Sequence, residues 1–447
     1  MTASLLGTWS RVRRSSPHAP ALTDASEART WSLSGLDALA DAWVASVGQP
    51  LAGETVVFAE PNGPAWFQVF LGLLKMGAVP ASLEAGEPEE ALRSVADAVK
   101  ARFLWSRGCL HRMRRGSPAP RDGRRVLKLT SGTTGLPKAL AFTDAQMLAD
   151  GRQICGDMGI HSNDINLGMI PFGHSYGLGN LVVPLLSQGT SIVTGLPPFP
   201  QAIAAGIGRW LPTVFPAVPA LLRALAEADV DPAMLGSLRT VISAGSELPA
   251  GVAQAFHRRF RLKVHNFYGS SETGGIAYDR SGDASLTGRS VGTPMTGVRL
   301  VFGRGRRFTV SSAAVFTHGN RRAFRGRGKH APADFGRLDA RGELVLLGRA
   351  GRQIKVAGRR FNPAEMELAL RRLPGIRDAF VAALPRRPHA LAAAVAGAAS
   401  QESVRLALRG KVAAWKVPGK VVVLPSFPVT PRGKTDARKL LALLAGD

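Results

Sequence analysis

The sequence predicts an α/β fold: a large N-terminal domain of parallel-type sheets covered by helices, with a small β subdomain, followed by a small C-terminal α+β domain. Three observations predict it. Short apolar strands alternate with helices in strand–helix–strand order, the arrangement that buries a parallel sheet on both faces. Residues 165–208 contain no Asp, Glu, Lys or Arg, as the interior of a sheet requires. Pro171, Pro184, Pro197 and Pro198 cut that stretch into pieces too short to cross a bilayer. Past Gly348 the texture changes and a second set of strands and helices begins.

In chain order, residues 55–59 (TVVFA) read as a strand. Residues 63–76 read as a helix, with Trp66, Val69, Phe70, Leu73 and Leu74 on one face, and residues 78–82 return as a strand. The unit recurs as strand 191–194, helix 203–210 and strand 213–215, then as helix 217–227 and strand 238–242. Residues 303–329, rich in Gly and Arg, read as loops and edge strands of the β subdomain, which strand 343–347 closes. Beyond Gly348 the expected elements are strand 353–356, a helix capped by Asn362 with Pro363 in its first turn, strand 379–383, a helix from Glu402 and strand 420–424. The expected domains are residues 1–348 and 349–447, a normal size for the second unit.

With 447 residues, 45% of them hydrophobic, the chain can bury two or more cores. Its formal charge of +25 asks for an acidic partner: nucleic acid, an anionic membrane, a phosphorylated cofactor or an acidic carrier protein. The basic residues are mostly scattered Arg pairs without interleaved aromatics, which argues against a nucleic-acid surface. Two cysteines, Cys109 and Cys155, give neither a disulfide framework nor a zinc spacing. The opening MTASLLGTWSRVRRSS lacks the sustained apolar run of a signal peptide. A cytoplasmic protein without an integral membrane segment is expected.

The stretch LTSGTTGLPK, residues 129–138, sets hydroxyls and glycines behind a short strand. Its backbone donors and Lys138 suit phosphate oxygens. The Walker spacing fails, because Leu-Pro-Lys follows the final Gly. Taken alone, the motif could equally be a solvated turn.

Further motifs stand in a fixed order: PFGHSYGLG at 171–179, LRTVISAGSELP at 238–249, NFYGSSETGG at 266–275, DFGRLDARGELVLLGRAGRQIKVAGRRFNPAEME at 334–367 and LPSFPVTPRGKTDARKL at 424–440. Together with the first loop they resemble the adenylate-forming superfamily of acyl- and aryl-CoA synthetases, luciferases and peptide-synthetase adenylation domains. That resemblance implies ATP-dependent activation of a carboxylic acid to an acyl-adenylate, with release of pyrophosphate and transfer to a thiol. It implies ATP and Mg²⁺, and as acceptor CoA or the phosphopantetheine of an acidic acyl carrier protein.

Residue by residue, the resemblance gives Thr130, Ser131, Gly132, Thr133, Thr134, Gly135 and Lys138 to the β- and γ-phosphates. Gly245, Ser246, Glu247 and Tyr268 would frame adenine, and Gly269 and Ser270 would belong to the same nucleotide site. Ser271 would meet the α-phosphate, Glu272 would hold Mg²⁺, and Asp334 and Arg349 would hold the ribose. Lys434 would serve adenylation, where composition alone reads a surface lysine. Lys355 and Gly358 would line a pantetheine tunnel. His174 would wall the acyl pocket, where its uncharged surroundings alone read a buried structural histidine. Tyr176, Gly274, Gly275 and Ile276 are expected to shape the same pocket.

Two departures stand out. Gly351 occupies a hinge position where relatives carry Asp or Lys, and Pro332-Ala333 replaces Thr-Gly before Asp334. Amino-acid-activating members of the superfamily generally place an Asp in the segment matching residues 172–175, and none stands there, so the resemblance implies an aryl or fatty acid in preference to an α-amino acid. A degenerate nucleotide binder without ligase activity is the main alternative.

Overall fold

The structure is a computed structural model. It describes residues 4–87, 89–114, 116, 123–130, 138–316, 328–349, 354–356, 359–361, 363–384, 387–408, 417–430 and 435–446. For 130, 138, 354–356, 359–361, 364, 365, 368 and 387–390 only the backbone is considered.

Two large sheets organise the N-terminal part. The first has six strands in the order Cys109–Arg112, Phe103–Ser106, Thr55–Phe58, Val79–Ser82, Val126–Thr130 and Lys138–Phe142. Its four central strands are parallel and its two edge strands antiparallel. The second has nine strands: Thr293–Pro294, Gly274–Tyr278, Val264–Ser270, Thr240–Ser243, Val214–Ala217, Ile165–Leu167, Ser191–Thr194, Pro20–Asp24 and Arg29–Ser32. It too is parallel in the middle and antiparallel at both margins. The expected strand–helix–strand units are present, with helices Pro64–Lys75, Pro200–Trp210 and Pro219–Glu227 as crossovers.

Helices fill the space between the sheets. Trp66, Phe67 and Phe70 of Pro64–Lys75 join Val56 and Phe58 of the first sheet and Leu22, Ile192 and Ile242 of the second in one buried cluster. Trp43, on helix Leu33–Val47, lies so close to Pro64–Lys75 that a Cβ on Gly72 would come within 2.3 Å of its ring. Only glycine permits that helix approach. The outer face of the nine-stranded sheet is covered by helices carrying Ile203, Ile207, Leu222, Leu225, Val252 and Phe256. Leu92 and Ala96 cover the outer face of the first sheet. The uncharged stretch 165–208 is therefore sheet and buried helix; among the described residues no helix is long and apolar enough to cross a membrane.

The expected β subdomain contains strands Arg299–Phe302, Phe308–Ser312 and Gly328–His330, with the hairpin Asp334–Leu338 and Leu344–Arg349 beside it. The small C-terminal part has strands Ile376–Leu384, Arg387–Gly397 and Lys420–Leu424. Helices Pro363–Arg371 and Gln401–Leu408 cover one face, through Met366, Leu370, Val404 and Leu408. Helix Ala437–Ala445 covers the other with Leu440 and Leu444.

One polar cluster ties the nine-stranded sheet at its lower end. Asp164, just before Ile165–Leu167, accepts from the His161 amide (2.8 Å), the Thr213 hydroxyl (2.7 Å) and Arg239 Nε (2.8 Å), and from Arg239 Nη2 as well. Burial works to raise the Asp164 carboxyl, but the Arg239 hydrogen bonds, the amide and the hydroxyl outweigh it and hold the carboxyl below its usual range. A lowered folded value means that the cluster stabilises the protein above the ordinary carboxylate range and loses this as pH falls through that value. Arg239→Ala is therefore expected to cost about 2 kcal/mol near pH 7, a figure kept modest because the guanidinium is half-exposed. The gap from wild type should narrow as pH falls below 4. Urea unfolding at both pH values checks this; a pH-independent gap would remove Asp164 as the cause.

Candidate functional site

Four of the motif loops leave the carboxyl ends of parallel strands, where open α/β sheets bind their ligands. The phosphate-loop segment follows Val126–Thr130, the His174 segment follows Ile165–Leu167, the Gly245 segment follows Thr240–Ser243, and the Ser271 turn follows Val264–Ser270. Thr130 and Lys138 pair across adjacent antiparallel strands, which sets the two ends of the phosphate-loop segment side by side.

Hydrogen bonds join these loops. Ser175 Oγ donates to Ser271 Oγ at 2.8 Å, so the His174 segment meets the turn expected at the α-phosphate. Glu272, the next residue, is half-buried, and its carbonyl accepts the Phe316 amide at 2.8 Å. The Ser270 and Thr273 hydroxyls lie 3.0 Å apart and close the same turn, and Gly269, on the strand just before it, is exposed. Among the described residues no group of three or more His, Cys, Asp or Glu could hold a metal ion. A single carboxylate, Glu272, in a turn that also carries hydroxyls would fit a hard cation that takes most of its ligands from phosphate and water.

Tyr268 Oη donates to Asp334 Oδ2 at 2.9 Å, joining strand Val264–Ser270 to the hairpin Asp334–Leu338 and Leu344–Arg349. Burial, then the neighbouring Asp334 charge, raises the Tyr268 phenol well above its usual range, so the phenol keeps its proton and remains the donor. Asp334 and Arg349 stand opposite each other in the hairpin, with Arg349 Nε 3.9 Å from Asp334 Oδ1 and its guanidinium exposed. Pairing across the hairpin brings the two residues expected at the ribose side by side.

Gly245 takes a φ of +85° and starts an exposed loop with Ser246 and Glu247. Glu247 reaches the C-terminal part, where Arg371 Nη2 lies 2.8 Å from its carboxylate.

His174 acts at the start of a short helical turn. Its Nδ1 accepts the Tyr176 amide at 3.2 Å, and its carbonyl accepts the Leu178 amide at 2.8 Å. Accepting at Nδ1 places the proton of a neutral ring on Nε2. Tyr176 is buried, with Oη 3.3 Å from the Ile242 carbonyl and its ring against Phe267. Gly274 is half-buried, and Gly275 and Ile276 are buried on the strand beside it.

Sequence reasoning missed Asn62. Its side chain donates to the Gly168 and Ile170 carbonyls at 3.1 and 2.7 Å and accepts the Phe172 amide at 2.8 Å. It therefore holds the backbone that leads into His174. An Asn inside a Pro-Asn-Gly turn gives only a turn signal, and its long-range partners leave no local mark.

Ser131, Gly132, Thr133, Thr134, Gly135, Gly358 and Lys434 lie outside the described residues, as does Gly351 at the hinge position. Lys355 is on the short strand Ile354–Val356, paired with Arg359–Phe361.

Comparison with known proteins agrees with this geometry. Residues 112–302 match the model of the AMP-binding enzyme family, and residues 365–434 match its C-terminal domain. The 2-hydroxy-7-methoxy-5-methyl-1-naphthoate–CoA ligase of Streptomyces carzinostaticus is 30% identical over 71% of this chain, which spans 62% of that enzyme, less than two thirds of its length. The 3-hydroxybenzoate–CoA/4-hydroxybenzoate–CoA ligase of Thauera aromatica is 25% identical, covering 88% of this chain and 87% of its own. In fold the chain is similar to ATP-bound MatB from Rhodopseudomonas palustris, with a TM-score of 0.83 over 99% of both chains at 19% identity. Both family models are matched in order along one polypeptide, and four of the motif loops start from the carboxyl ends of parallel strands. This protein belongs to the AMP-binding enzyme family.

Proposed function

We propose that the protein is an AMP-forming acid–thiol ligase that uses ATP and Mg²⁺ to activate a carboxylic acid, then passes the acyl group to the thiol of CoA. The observation that carries the reading is the 2.8 Å contact from Ser175 to Ser271. It puts the acyl-side segment against the turn expected at the α-phosphate, so an acid and a triphosphate would meet there.

In the first half-reaction a carboxylate oxygen attacks the α-phosphorus, and the bond from that phosphorus to the bridging oxygen breaks. Acyl-adenylate and pyrophosphate result. Both reactants are anionic, so preorganised donors and cations must stabilise the gathering charge. Thr130, Ser131, Gly132, Thr133, Thr134, Gly135 and Lys138 would hold the departing phosphates. Because Ser175 donates to Ser271, the Ser271 proton is left to point at the α-phosphate. Glu272 would hold Mg²⁺, whose charge offsets that of the phosphates when bound. Tyr268, Asp334 and Arg349 would fix the nucleoside, and Gly245, Ser246 and Glu247 the adenine edge. Lys434 would meet the attacking carboxylate and the bridging oxygen.

In the second half-reaction the thiolate sulfur attacks the acyl carbon, and AMP leaves with the electron pair of the broken acyl–phosphate bond. Residues 349–447 would turn on residues 1–348 between the two steps, bringing Lys355 and Gly358 to the pantetheine. The lack of an acid at 172–175 favours an acid without an α-amine, and the names of the two CoA ligases favour an aryl acid over a fatty one. A cytoplasmic location fits the nucleotide and CoA supply.

Pyrophosphate release across aryl, short-chain, long-chain and α-amino acids, with CoA or a holo-carrier protein as acceptor, tests the reading. We expect AMP and pyrophosphate with an aryl acid, strictly dependent on that acid and on Mg²⁺, and a CoA thioester as product. Release of ADP, or no acid-dependent turnover with the whole panel, would overturn it. Thioester on the carrier alone would move the acceptor to the acidic carrier protein.

A further inference from the structure

Two charged side chains lie in the interior beneath the Ser271 turn, and neither belongs to the motif residues assigned above. Lys128 is on strand Val126–Thr130 and is 1% exposed; Asp150 is on helix Asp144–Met158 and is 3% exposed. Lys128 Nζ is 3.5 Å from Asp150 Oδ2 and 4.3 Å from the centre of the Phe142 ring. Asp150 Oδ1 accepts the Gly275 amide at 3.0 Å.

Taking two ions out of water costs several kcal/mol each, and an apolar pair of similar volume generally stabilises a core as well. Stability is therefore a weak reason for this pair, and its position supplies a better one. Gly274 has a φ of +68°, and a Cβ there would lie 2.2 Å from Asp150 Oδ1. A Cβ on Gly179, in the π-helical turn Leu178–Val182, would lie 3.2 Å from Oδ2. The carboxylate thus occupies space left by two side-chain-free residues, one on the acyl-side segment and one just after Glu272. Through Lys128 it also touches the strand that runs into the phosphate loop.

We propose that Asp150, neutralised by Lys128, is a positioning residue for acid activation: it sets the Gly274–Gly275 backbone that walls the acyl pocket and registers that wall against the phosphate-loop strand. The inference rests on the ligase reading above. The pair acts through the backbone and touches no reacting atom. Attack requires the carboxylate within about 3.5 Å of its target, and a shift of about 1 Å can cost about 10²-fold.

The test compares Lys128→Met/Asp150→Ala, which removes charge and acceptor together, with Lys128→Met/Asp150→Asn, which removes the charges but keeps an acceptor for Gly275. Hydrogen exchange of the peptide spanning 270–278 is read beside pyrophosphate-release kinetics. In the Ala variant, Gly275 exchange should speed up at least tenfold and KM for the acid should rise about tenfold or more, while KM for ATP stays within about threefold. The Asn variant should recover exchange protection and acid KM to within about threefold of wild type. If the Ala variant does not fold, Gly274→Ala, which keeps the pair and displaces the carboxylate, should give the same acid-selective defect. Wild-type exchange and kinetics in a folded Ala variant, or equal losses for ATP and acid in both pairs, would overturn the proposal. Lack of turnover in the wild type would instead sink the ligase reading, and the exchange measurement would still decide whether Asp150 sets this wall.

Discussion

Replacing Lys434 with alanine is expected to slow pyrophosphate release by about 10³-fold, while thioester formation from supplied acyl-adenylate stays within about threefold of wild type. The asymmetry follows from charge. In adenylation a carboxylate approaches a polyanion and a bridging oxygen gains negative charge, so one well-placed ammonium acts on both; loss of a single preorganised donor typically costs 10²–10³ in kcat. In the second step the leaving group is AMP, and the same ammonium has no oxygen of pyrophosphate to neutralise. The chain on either side of Lys434 is anchored. Val429 bridges to Thr435, and Asp436 caps helix Ala437–Ala445 by accepting the Arg438 and Lys439 amides at 3.1 Å each. Arginine should not rescue fully, because its planar fork does not replace a point charge. Equal loss of both half-reactions would remove Lys434 from its adenylation role.

Asp334→Ala is expected to raise KM for ATP about 30-fold, with a smaller effect on KM for the acid. A hydrogen bond to a charged group is worth about 1.5–3 kcal/mol, and losing one partner strands the other. The stranded partner here is the Tyr268 hydroxyl, which now donates to Asp334 at 2.9 Å. Tyr268→Phe keeps the ring and leaves in place the Asp334 carboxylate that would meet the sugar, so it removes support and not the contact itself and should raise KM for ATP less, by about fivefold. Initial rates at varied ATP and saturating acid separate the two. An unchanged KM for ATP in Asp334→Ala would mean that the hairpin carrying it does not hold the sugar.

Much of the scaffold was legible from local pattern. Strands Ser191–Thr194 and Lys420–Leu424 fall where β-branched runs place them, and the helix at Pro64–Lys75 follows the spacing of Trp66, Val69 and Phe70. The N-terminal strand Pro20–Asp24 was not. It pairs with Ser191–Thr194, far along the chain, so the partner that makes it a strand is invisible to a local window. The edge strands were also harder to see than the parallel centre, because an antiparallel margin such as Cys109–Arg112 lacks the continuous apolar run.

The loops of the candidate site show in the sequence as polar motifs, whereas the interior polar groups packed beneath them do not. Asp150 lies on the same helical face as Met147, Gly151 and Ile154, all buried, and Lys128 interrupts the apolar run Val126-Leu127-Lys128-Leu129. Each is a charge at a position that periodicity assigns to the core. One such residue reads as noise; two of opposite sign imply each other only once the fold brings them together.

The Asn62 amide has a consequence for how the molecule ages under heat. It follows a strand of one sheet and grips backbone that follows a strand of the other, so at this rim the two layers are riveted together. Slippage between layers would unseat the loop leading to His174 in the same event, so loosening of the candidate site is expected to accompany loosening of its frame.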